Sequence, residues 1–385
     1  MRPKNTIAGG SMKKTSGWTA LAVFGFAAAL WVGSAGAQSP DQSKAEWDRT
    51  VAAAEKEGSV VLNSQPNLVW RDFIVKEFAK AYPKIELNFS IIPSEQFIAR
   101  VRVERQTEKY LWDLGAAGAA AGFTLYKDGA IDPLLPELIL PEVNNPEIWG
   151  GWDEAFVDTP RKYVFSMSAF VLSPYYNAAH VPAAKVAQMG LGVMLDPAYV
   201  GKTAWHDPAV AGGGQSYATL MRTLGDDNLR KLLVDQKAMV FAQQSQVVEA
   251  MARGTAWFGI GPSMNALIAP YVQAGAIAQA DIQPFGNKPE VSIVSIAGNN
   301  LYVLNKRPHP NATRVFINWL LGKDVQYALA KTIDQDSRRT DIPSIAAPYA
   351  ARIKGAKYSV PQREEAFAQL LADAKFVDEL RKTAR

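Results

Sequence analysis

Glycines and small polar residues cluster at four points where a strand-like segment is followed by a helix-like segment. At such a point the backbone can approach a ligand closely, and the N–H groups of the first helical turn attract an anion. The residues concerned are Ser64, Gln65 and Asn67; Ala117 and Gly118; Gly213, Gly214, Gln215 and Ser216; and Ser263 and Asn265. Their types predict a site for a small polar or anionic group.

Three of these turns also have a purely structural interpretation, whereas Ala117 and Gly118 would contribute backbone groups only. Asn67, Ser263 or Asn265 can cap the helix that follows it. The glycines at 212–214 can form a flexible connection before a capped helix, and they are not a P-loop because no Gly-Lys-Ser/Thr follows them. The sequence leaves both interpretations open.

Two adjacent arginines, Arg338 and Arg339, could hold a carboxylate or phosphate through paired N–H donors. The alternative is an ion pair with a neighbouring acidic residue, for which the candidates are Asp334, Asp336 and Asp341. This choice is also open from the sequence.

Enzymatic chemistry has little support in the residue pattern. His180, His206 and His309 are the only histidines, and none has another histidine or a carboxylate three or four positions later. The chain contains no cysteine and no G-x-S-x-G, H-E-x-x-H or Walker motif. We therefore expect no enzymatic activity, no cofactor and no bound metal, although a triad assembled in three dimensions stays possible.

The elements that must position these residues alternate between strand and helix from about residue 58. This order predicts an α/β fold with mixed, mostly parallel sheets flanked by helices, whose ligands bind at the carboxyl ends of the strands. The predicted strands are 58–63, 85–92, 111–115, 202–205, 239–241 and 256–260. The predicted helices are 69–82, 96–107, 214–224, 245–253, 311–321 and 324–332.

Two longer apolar segments, 163–175 and 291–304, enclose the second series of strands and helices. Each predicts an extended strand along which the chain passes between two lobes. About 348 residues beyond the leader are too many for one core and suit two lobes. The predicted boundaries are 45–168 with 296–385 for the first lobe and 169–295 for the second.

The segment 1–37 has the features of a signal peptide. Arg2, Lys4, Lys13 and Lys14 precede an apolar stretch at 18–33, and Ala35-Gly36-Ala37 fits a signal peptidase. We expect cleavage after Ala37. The alternative is an uncleaved membrane anchor, which the many Ala and Gly residues and the well-formed cleavage site disfavour.

Charge and cysteine content refine this prediction. The chain has 41 Lys and Arg against 37 Asp and Glu, and the leader contains four of the basic residues and no acidic one. The remainder is formally neutral, so nucleic acid is not an expected partner. Without a cysteine the exported protein cannot be lipid-anchored at the leader, which favours a free protein in a periplasm.

Several segments together resemble a known family. They are 55–62 (EKEGSVVL), 78–85 (FAKAYPKI), 100–113 (RVRVERQTEKYLWD), 176–177 (YN), 207–214 (DPAVAGGG) and 309–312 (HPNA). The chain resembles the bacterial ABC-transporter solute-binding proteins for iron(III), polyamines and phosphonates. The resemblance implies the two-lobed periplasmic-binding-protein fold with a two-strand hinge.

The same resemblance implies a receptor that captures a small solute and delivers it to an ABC permease, and we expect it to be a monomer. The alternatives are a periplasmic hydrolase or transferase, or a sensor-receptor, on the same scaffold. Iron-binding members hold the metal with adjacent tyrosines just beyond the strand that corresponds to 256–260. Here Trp257, Phe258 and Ser263 occupy that region, so we expect iron(III) to be disfavoured.

Overall fold

The computed structural model describes residues 40–64, 67–210, 213–261, 264–296, 298–333, 335–345, 353 and 355–383. The strands are β1 Ser59–Ser64, β2 Glu86–Ile91, β3 Leu114–Ala117, β4 Ile131–Asp132, β5 Phe165–Ser166, β6 Phe170–Leu172, β7 Tyr175–Asn177, β8 Thr203–His206, β9 Met239–Phe241, β10 Phe258–Ile260, β11 Ile282–Pro284, β12 Ile293–Ser295 and β13 Asn300–Leu304.

The helices are α1 Pro40–Glu57, α2 Leu68–Ala81, α3 Ser94–Gln106, α4 Ala119–Lys127, α5 Trp152–Ala155, α6 Ala183–Met189, α7 Gly213–Arg222, α8 Asp226–Leu233, α9 Gln244–Ala252, α10 Met264–Gln273, α11 Pro310–Leu321, α12 Lys323–Ile333 and α13 Glu364–Thr383. Within the described residues, no helix is both long and apolar enough to cross a membrane.

The first sheet has the strand order β2-β1-β3-β13-β4, and β5 pairs with β13. Strands β2, β1 and β3 are parallel, whereas β13 runs antiparallel to β3. Leu62 in β1 and Leu114 in β3 are fully buried and lie in register. Helices α2 and α11 contribute Trp70, Phe78 and Phe316 to the same core, so the alternating pattern predicted from the sequence does form a covered sheet.

The second sheet has the order β11-β7-β10-β8-β9. Strands β10, β8 and β9 are parallel, and β7 is antiparallel to β10 and β11. Helices α7 and α8 pack with Trp205 and Phe258 in one apolar cluster, and α9 packs with Ala204 and Ile282 in another. Each sheet therefore has a core of its own, as a two-lobed fold requires.

The two predicted long strands are interrupted in the structure. Segment 163–175 contains β5, β6 and the start of β7, and segment 291–304 contains β12 and β13. The interruptions arise because the chain changes sheets there, and Pro174 lies between β6 and β7. Strands β6 and β12 pair with each other in a separate antiparallel ribbon, which is the predicted two-strand hinge.

The contacts of α13 differ from the predicted lobe boundaries, which placed residues 296–385 in the first lobe. Ala374, Val377 and Leu380 lie in the apolar cluster of α7 and α8, which belongs to the second sheet. An amphipathic helix buries its apolar face wherever a matching surface lies, independently of its place in the sequence. The other boundaries stay a prediction.

Tyr302 in β13 is fully buried against two glycines. A Cβ on Gly115 would lie 2.3 Å from the Tyr302 ring, and one on Gly122 would lie 3.1 Å from it. The Tyr302 hydroxyl has no hydrogen-bond partner among the described residues, and burial raises its pKa. The first lobe therefore contains a buried phenol whose polar group is unsatisfied.

Replacing this phenol provides a test of the first lobe's packing. We expect Tyr302→Phe to raise the free energy of unfolding by about 1–3 kcal/mol, because an unsatisfied buried hydroxyl is removed without loss of volume. The matched control is Tyr217→Phe, whose hydroxyl donates to the Ser173 carbonyl oxygen at 2.9 Å. That variant should lose about 1 kcal/mol. Urea unfolding measures both, and equal destabilisation by the two variants would contradict the assignment.

Candidate ligand site

Four helices begin just beyond the carboxyl ends of the parallel strands. In the first sheet α2 follows β1 and α4 follows β3, and in the second sheet α7 follows β8 and α10 follows β10. All the glycine and small polar residues selected from the sequence fall in these four turns. Gln65 and Ser263 lie outside the described residues, and Asn265 lies in the first turn of α10 with its side chain outside them.

The turn between β3 and α4 presents uncapped backbone donors. Ala117 ends β3, and Gly118 precedes the first helical residue with no side chain capping the helix. No atom would lie within 4 Å of a Cβ on Gly118, so the space beside this backbone is open. The first N–H groups of an α-helix have no partner within the helix and attract anions.

The turn after β1 is occupied by local hydrogen bonds. The Ser64 hydroxyl is buried and donates to the Ala116 carbonyl oxygen at 2.8 Å. The Asn67 side-chain oxygen accepts the Trp70 N–H at 3.0 Å and thereby caps α2. For these two residues the geometry favours the structural interpretation.

The turn between β8 and α7 is tight. The Asp207 carboxylate accepts the Ala209 N–H at 2.9 Å, and its carbonyl oxygen accepts the Val210 N–H at 3.0 Å. A Cβ on Gly214 would lie 2.3 Å from that same carbonyl oxygen. Glycine is therefore required at 214 for close packing against Asp207.

The residues beside Gly214 form hydrogen bonds of two kinds, one from the Gln215 backbone and one to the Ser216 side chain. Gly213 begins α7, and the Gln215 N–H donates to the Val210 carbonyl oxygen at 3.2 Å. Ser216 is fully buried, and its hydroxyl accepts a hydrogen bond of 2.6 Å from the Gln362 side chain. Ser216 thus contributes to the interior, and the Gln215 N–H already has an acceptor.

Sequence reasoning missed His206, the last residue of β8. Its ring is buried, its Nδ1 has no partner among the described residues, and the Ala242 backbone accepts a hydrogen bond from the ring. Burial lowers the pKa of His206, although the charge of Asp207 and the bond to Ala242 partly oppose this. A Cβ on Gly261 would lie 2.5 Å from the His206 Cβ. The position at a strand end, before Asp-Pro, is the signal that could have identified it.

Arg339 is held by groups of the protein itself. Its guanidinium donates to both carboxylate oxygens of Asp341 at 2.9 Å and to the Leu321 carbonyl oxygen at 2.7 Å. It also lies over the Trp149 ring, 5.4 Å from the centroid. This arrangement lowers the pKa of Asp341. The contacts favour the ion-pair alternative for Arg339.

Arg338 lies at the crossing between the sheets. Its N–H donates to the Met167 carbonyl oxygen at 2.9 Å, and the preceding Ser337 forms a β-bridge with Ser168. The side chain is fully buried, and its guanidinium lies 3.6 Å from the Glu154 carboxylate. Arg338 is therefore a buried cation beside the hinge.

A separate chain of hydrogen bonds joins three residues at the amino end of the first sheet. The Ser59 hydroxyl lies 3.0 Å from His309 Nε2, and His309 Nδ1 lies 2.8 Å from the Asp113 carboxylate. Asp113 is fully buried and also accepts the Val61 N–H. Burial raises the pKa of Asp113, and the hydrogen bonds from His309 and Val61 oppose this rise. The order Ser–His–Asp matches the geometry of hydrolytic triads.

The backbone N–H groups nearest to the Ser59–His309–Asp113 hydrogen bonds already have an acceptor. The N–H groups of Asn311 and Ala312, at the start of α11, donate to the Glu57 carboxylate at 3.1 and 2.7 Å. An acyl-transfer site needs free donors for the developing oxyanion, and here the α11 N-terminus faces a carboxylate instead. In the described part of the chain, no three His, Cys, Asp or Glu side chains are grouped as a metal site.

Comparisons with known proteins agree with this architecture. The family model for bacterial extracellular solute-binding proteins matches residues 74–352. The curated proteins include no significant match to the sequence. Iron-bound HitA from Pseudomonas aeruginosa is 15% identical with a TM-score of 0.59, and the match covers 83% of this chain and 99% of that one.

Two further solved structures are similar. Ferric iron-binding protein A from Mannheimia haemolytica, in an open conformation, is 14% identical with a TM-score of 0.61 and coverage of 85% and 99%. An ABC transporter protein from Clostridium perfringens ATCC 13124 is 12% identical with a TM-score of 0.61 and coverage of 84% and 99%. At these identities the likeness concerns the fold.

Several of these structural neighbours are iron-binding proteins, which concerns the ligand expected from the sequence. The expectation that iron(III) is disfavoured is not supported by the comparisons, since several neighbours are named for ferric iron. The wider expectation of a receptor is confirmed by the family match and the two-lobed fold. The chain belongs to the family of bacterial extracellular solute-binding proteins.

Proposed function

We propose that this receptor captures a small anionic solute between its lobes and delivers it to the permease of its transporter. The observation that carries the proposal is the uncapped start of α4 at Gly118, at the carboxyl end of β3. We expect the first turn of α7, which begins at Gly213, to supply the matching donors from the second sheet. Oriented N–H groups from both lobes suit phosphate, phosphonate or carboxylate groups.

Ligand binding would favour closure because only the closed form lets one solute contact both lobes. The two lobes are joined by the short ribbon β6–β12, and such hinges allow lobes to rotate around a ligand. A solute stabilises the closed form only by the difference between its affinities for the two forms. Removing donors from one lobe should therefore weaken both affinity and closure.

We place the mature protein in the periplasm as a monomer that begins at Gln38. Support comes from the basic, apolar and small-residue order of the leader, and from the extracellular family to which the chain belongs. The mass of the exported protein tests this cleavage site, and the same preparation serves the binding experiments below.

A thermal-shift panel tests the anion proposal. Phosphate, methylphosphonate, sulfate and citrate are compared with the cation putrescine. We expect at least one anion to raise the melting temperature reversibly, since a ligand at one hundred times its Kd contributes about 2.7 kcal/mol. Stabilisation by putrescine alone would contradict the proposal.

Ferric citrate forms a separate arm of the panel. A tyrosinate-bound ferric ion absorbs visible light, so titration followed by absorbance distinguishes a protein-bound metal from the citrate anion. Saturable colour would identify iron as the cargo. Stabilisation by citrate with or without iron, and without colour, would support the anion.

Replacing Gly214 tests the second lobe's contribution. We expect Gly214→Ala to reduce affinity for the stabilising anion at least about tenfold, because the added Cβ displaces the turn from the Asp207 carbonyl oxygen and overpacking of this kind costs about 1–3 kcal/mol. Gly192→Ala is the matched control, since nothing lies within 4 Å of its added Cβ. Calorimetric titration of both variants measures the effect, and equal affinities would exclude this turn from the site.

A hydrolase is the second candidate, and Ser59, His309 and Asp113 are the observation that favours it. The nearby α11 N-terminus is neutralised by Glu57, so we expect the chain of hydrogen bonds to be structural. A fluorophosphonate probe should therefore leave Ser59 unlabelled, as judged by intact mass. Labelling that disappears in Ser59→Ala and in His309→Gln would establish the nucleophile and overturn this assignment.

A further inference from the structure

The two lobes are connected by more than the β6–β12 ribbon. The segment that leads into α13 passes beside the ribbon, where the Val294 N–H donates to the Ser359 carbonyl oxygen at 2.9 Å. Val360 packs with Val171 and Val294 of the two hinge strands. The Glu364 N–H then donates to the Val157 carbonyl oxygen at 2.9 Å. The chain therefore crosses the hinge region a third time.

The first turn of α13 contacts the first lobe mainly through charged groups. The Glu364 carboxylate lies 2.6 Å from the Lys127 ammonium and accepts the Thr159 N–H at 2.8 Å. The Glu365 carboxylate lies 2.5 Å from the Arg161 guanidinium. Apolar packing accompanies them, because Phe367 lies against the buried cluster that contains Phe123 and Val164, with the Phe367 and Phe123 ring centroids 6.1 Å apart.

The remainder of α13 is packed on the second lobe. Ala374, Val377 and Leu380 are buried against residues of α7 and α8. Asp373 lies 3.4 Å from the guanidinium of Arg222, which also lies 4.0 Å from the centroid of the Phe376 ring. A dry apolar interface resists sliding because its packing is close to that of a crystal, so this part of α13 moves with the second lobe.

The last turn of α13 reaches the proposed ligand turn. The Arg381 guanidinium donates to the Asp207 carboxylate at 3.1 Å, and Asp378 binds the same guanidinium. The other Asp207 oxygen accepts the Ala209 N–H. Arg381 therefore orients Asp207, whose carboxylate and carbonyl oxygen accept the N–H groups of Ala209 and Val210.

We propose that α13 is a strap that couples the relative orientation of the lobes to the ligand turn. The ion pairs of its first helical turn set the resting orientation of the first lobe relative to the second. At its other end, Arg381 is a positioning residue for the turn between β8 and α7. In each of these ion pairs one partner is exposed, Lys127 in the first and Glu365 in the second, whereas Glu364 is nearly buried. Ion pairs that water can reach are individually weak, so we expect the first turn to be the part that yields when the lobes move. The inference rests on the proposed closure around an anion, but both ends of the strap can be tested without a ligand.

The absence of cysteine from the chain makes the first test direct. Val103→Cys in the first lobe and Val200→Cys in the second, 61% and 43% exposed, accept spin labels for distance measurement. In the ligand-free protein we expect Glu364→Gln with Glu365→Gln to broaden the distance distribution. High salt should broaden it in the labelled parent, since screening weakens the same pairs.

The matched control is Glu379→Gln, which removes the Lys375–Glu379 pair of the same helix without touching the first lobe. Its distribution should equal that of the parent. If the Glu364 and Glu365 variant also equals the parent, the strap is excluded whether or not an anion is later found.

The second test concerns Arg381. We expect Arg381→Gln to increase amide hydrogen exchange in the segment that contains Ala209 and Val210 at least about tenfold, and Arg381→Lys to retain slow exchange because it keeps a donor for Asp207. Lys382→Gln is the control, because among the described residues Lys382 pairs with Asp378 and not with Asp207. Circular dichroism confirms that each variant is folded. The positioning role is excluded if folded Arg381→Gln and Lys382→Gln exchange at equal rates. It is also excluded if folded Arg381→Lys and Lys382→Gln exchange at equal rates and both are fast.

Discussion

Backbone hydrogen bonds between β6 and β12 join the two places where the chain passes from one sheet to the other. Only three residue pairs form this ribbon, Ile293 with Leu172, Val294 with Val171 and Ser295 with Phe170. Because each sheet has its own core, this short ribbon and the segment beside it carry the covalent connections between the lobes. The two-lobed arrangement and the proposed closing motion both depend on this connection.

Polar groups are concentrated where the crossings meet. The Gln362 side chain donates to Ser216 of α7 and to Ser295 of β12, at 2.6 and 3.1 Å. A buried side-chain network of this kind specifies geometry, since each misplaced group loses its partner in a medium of low dielectric. The network therefore aligns the start of α7 with the hinge strand, and α13 adds a second link between the same regions.

The proposed anion preference follows from backbone geometry more than from side-chain charge. Arg339 is committed to Asp341, and Ser64 and Asn67 satisfy neighbouring backbone groups. What remains is the start of α4 after β3, which has no side-chain cap, together with the proposed contribution of the first turn of α7 after β8. Backbone donors of this kind depend little on residue type.

The sequence by itself determined many of the elements and their order, because periodicity and glycine placement are local properties, but it did not reveal the breaks in segments 163–175 and 291–304. The predicted strand 58–63 is β1 at Ser59–Ser64, and the predicted helix 311–321 is α11 at Pro310–Leu321. It also indicated the two-lobed receptor. Only the tertiary structure decided which polar residues are used internally, because their partners lie far away in the chain or depend on side-chain direction. Ser59 meets His309 across 250 positions, and α13 reaches the second lobe from the end of the chain.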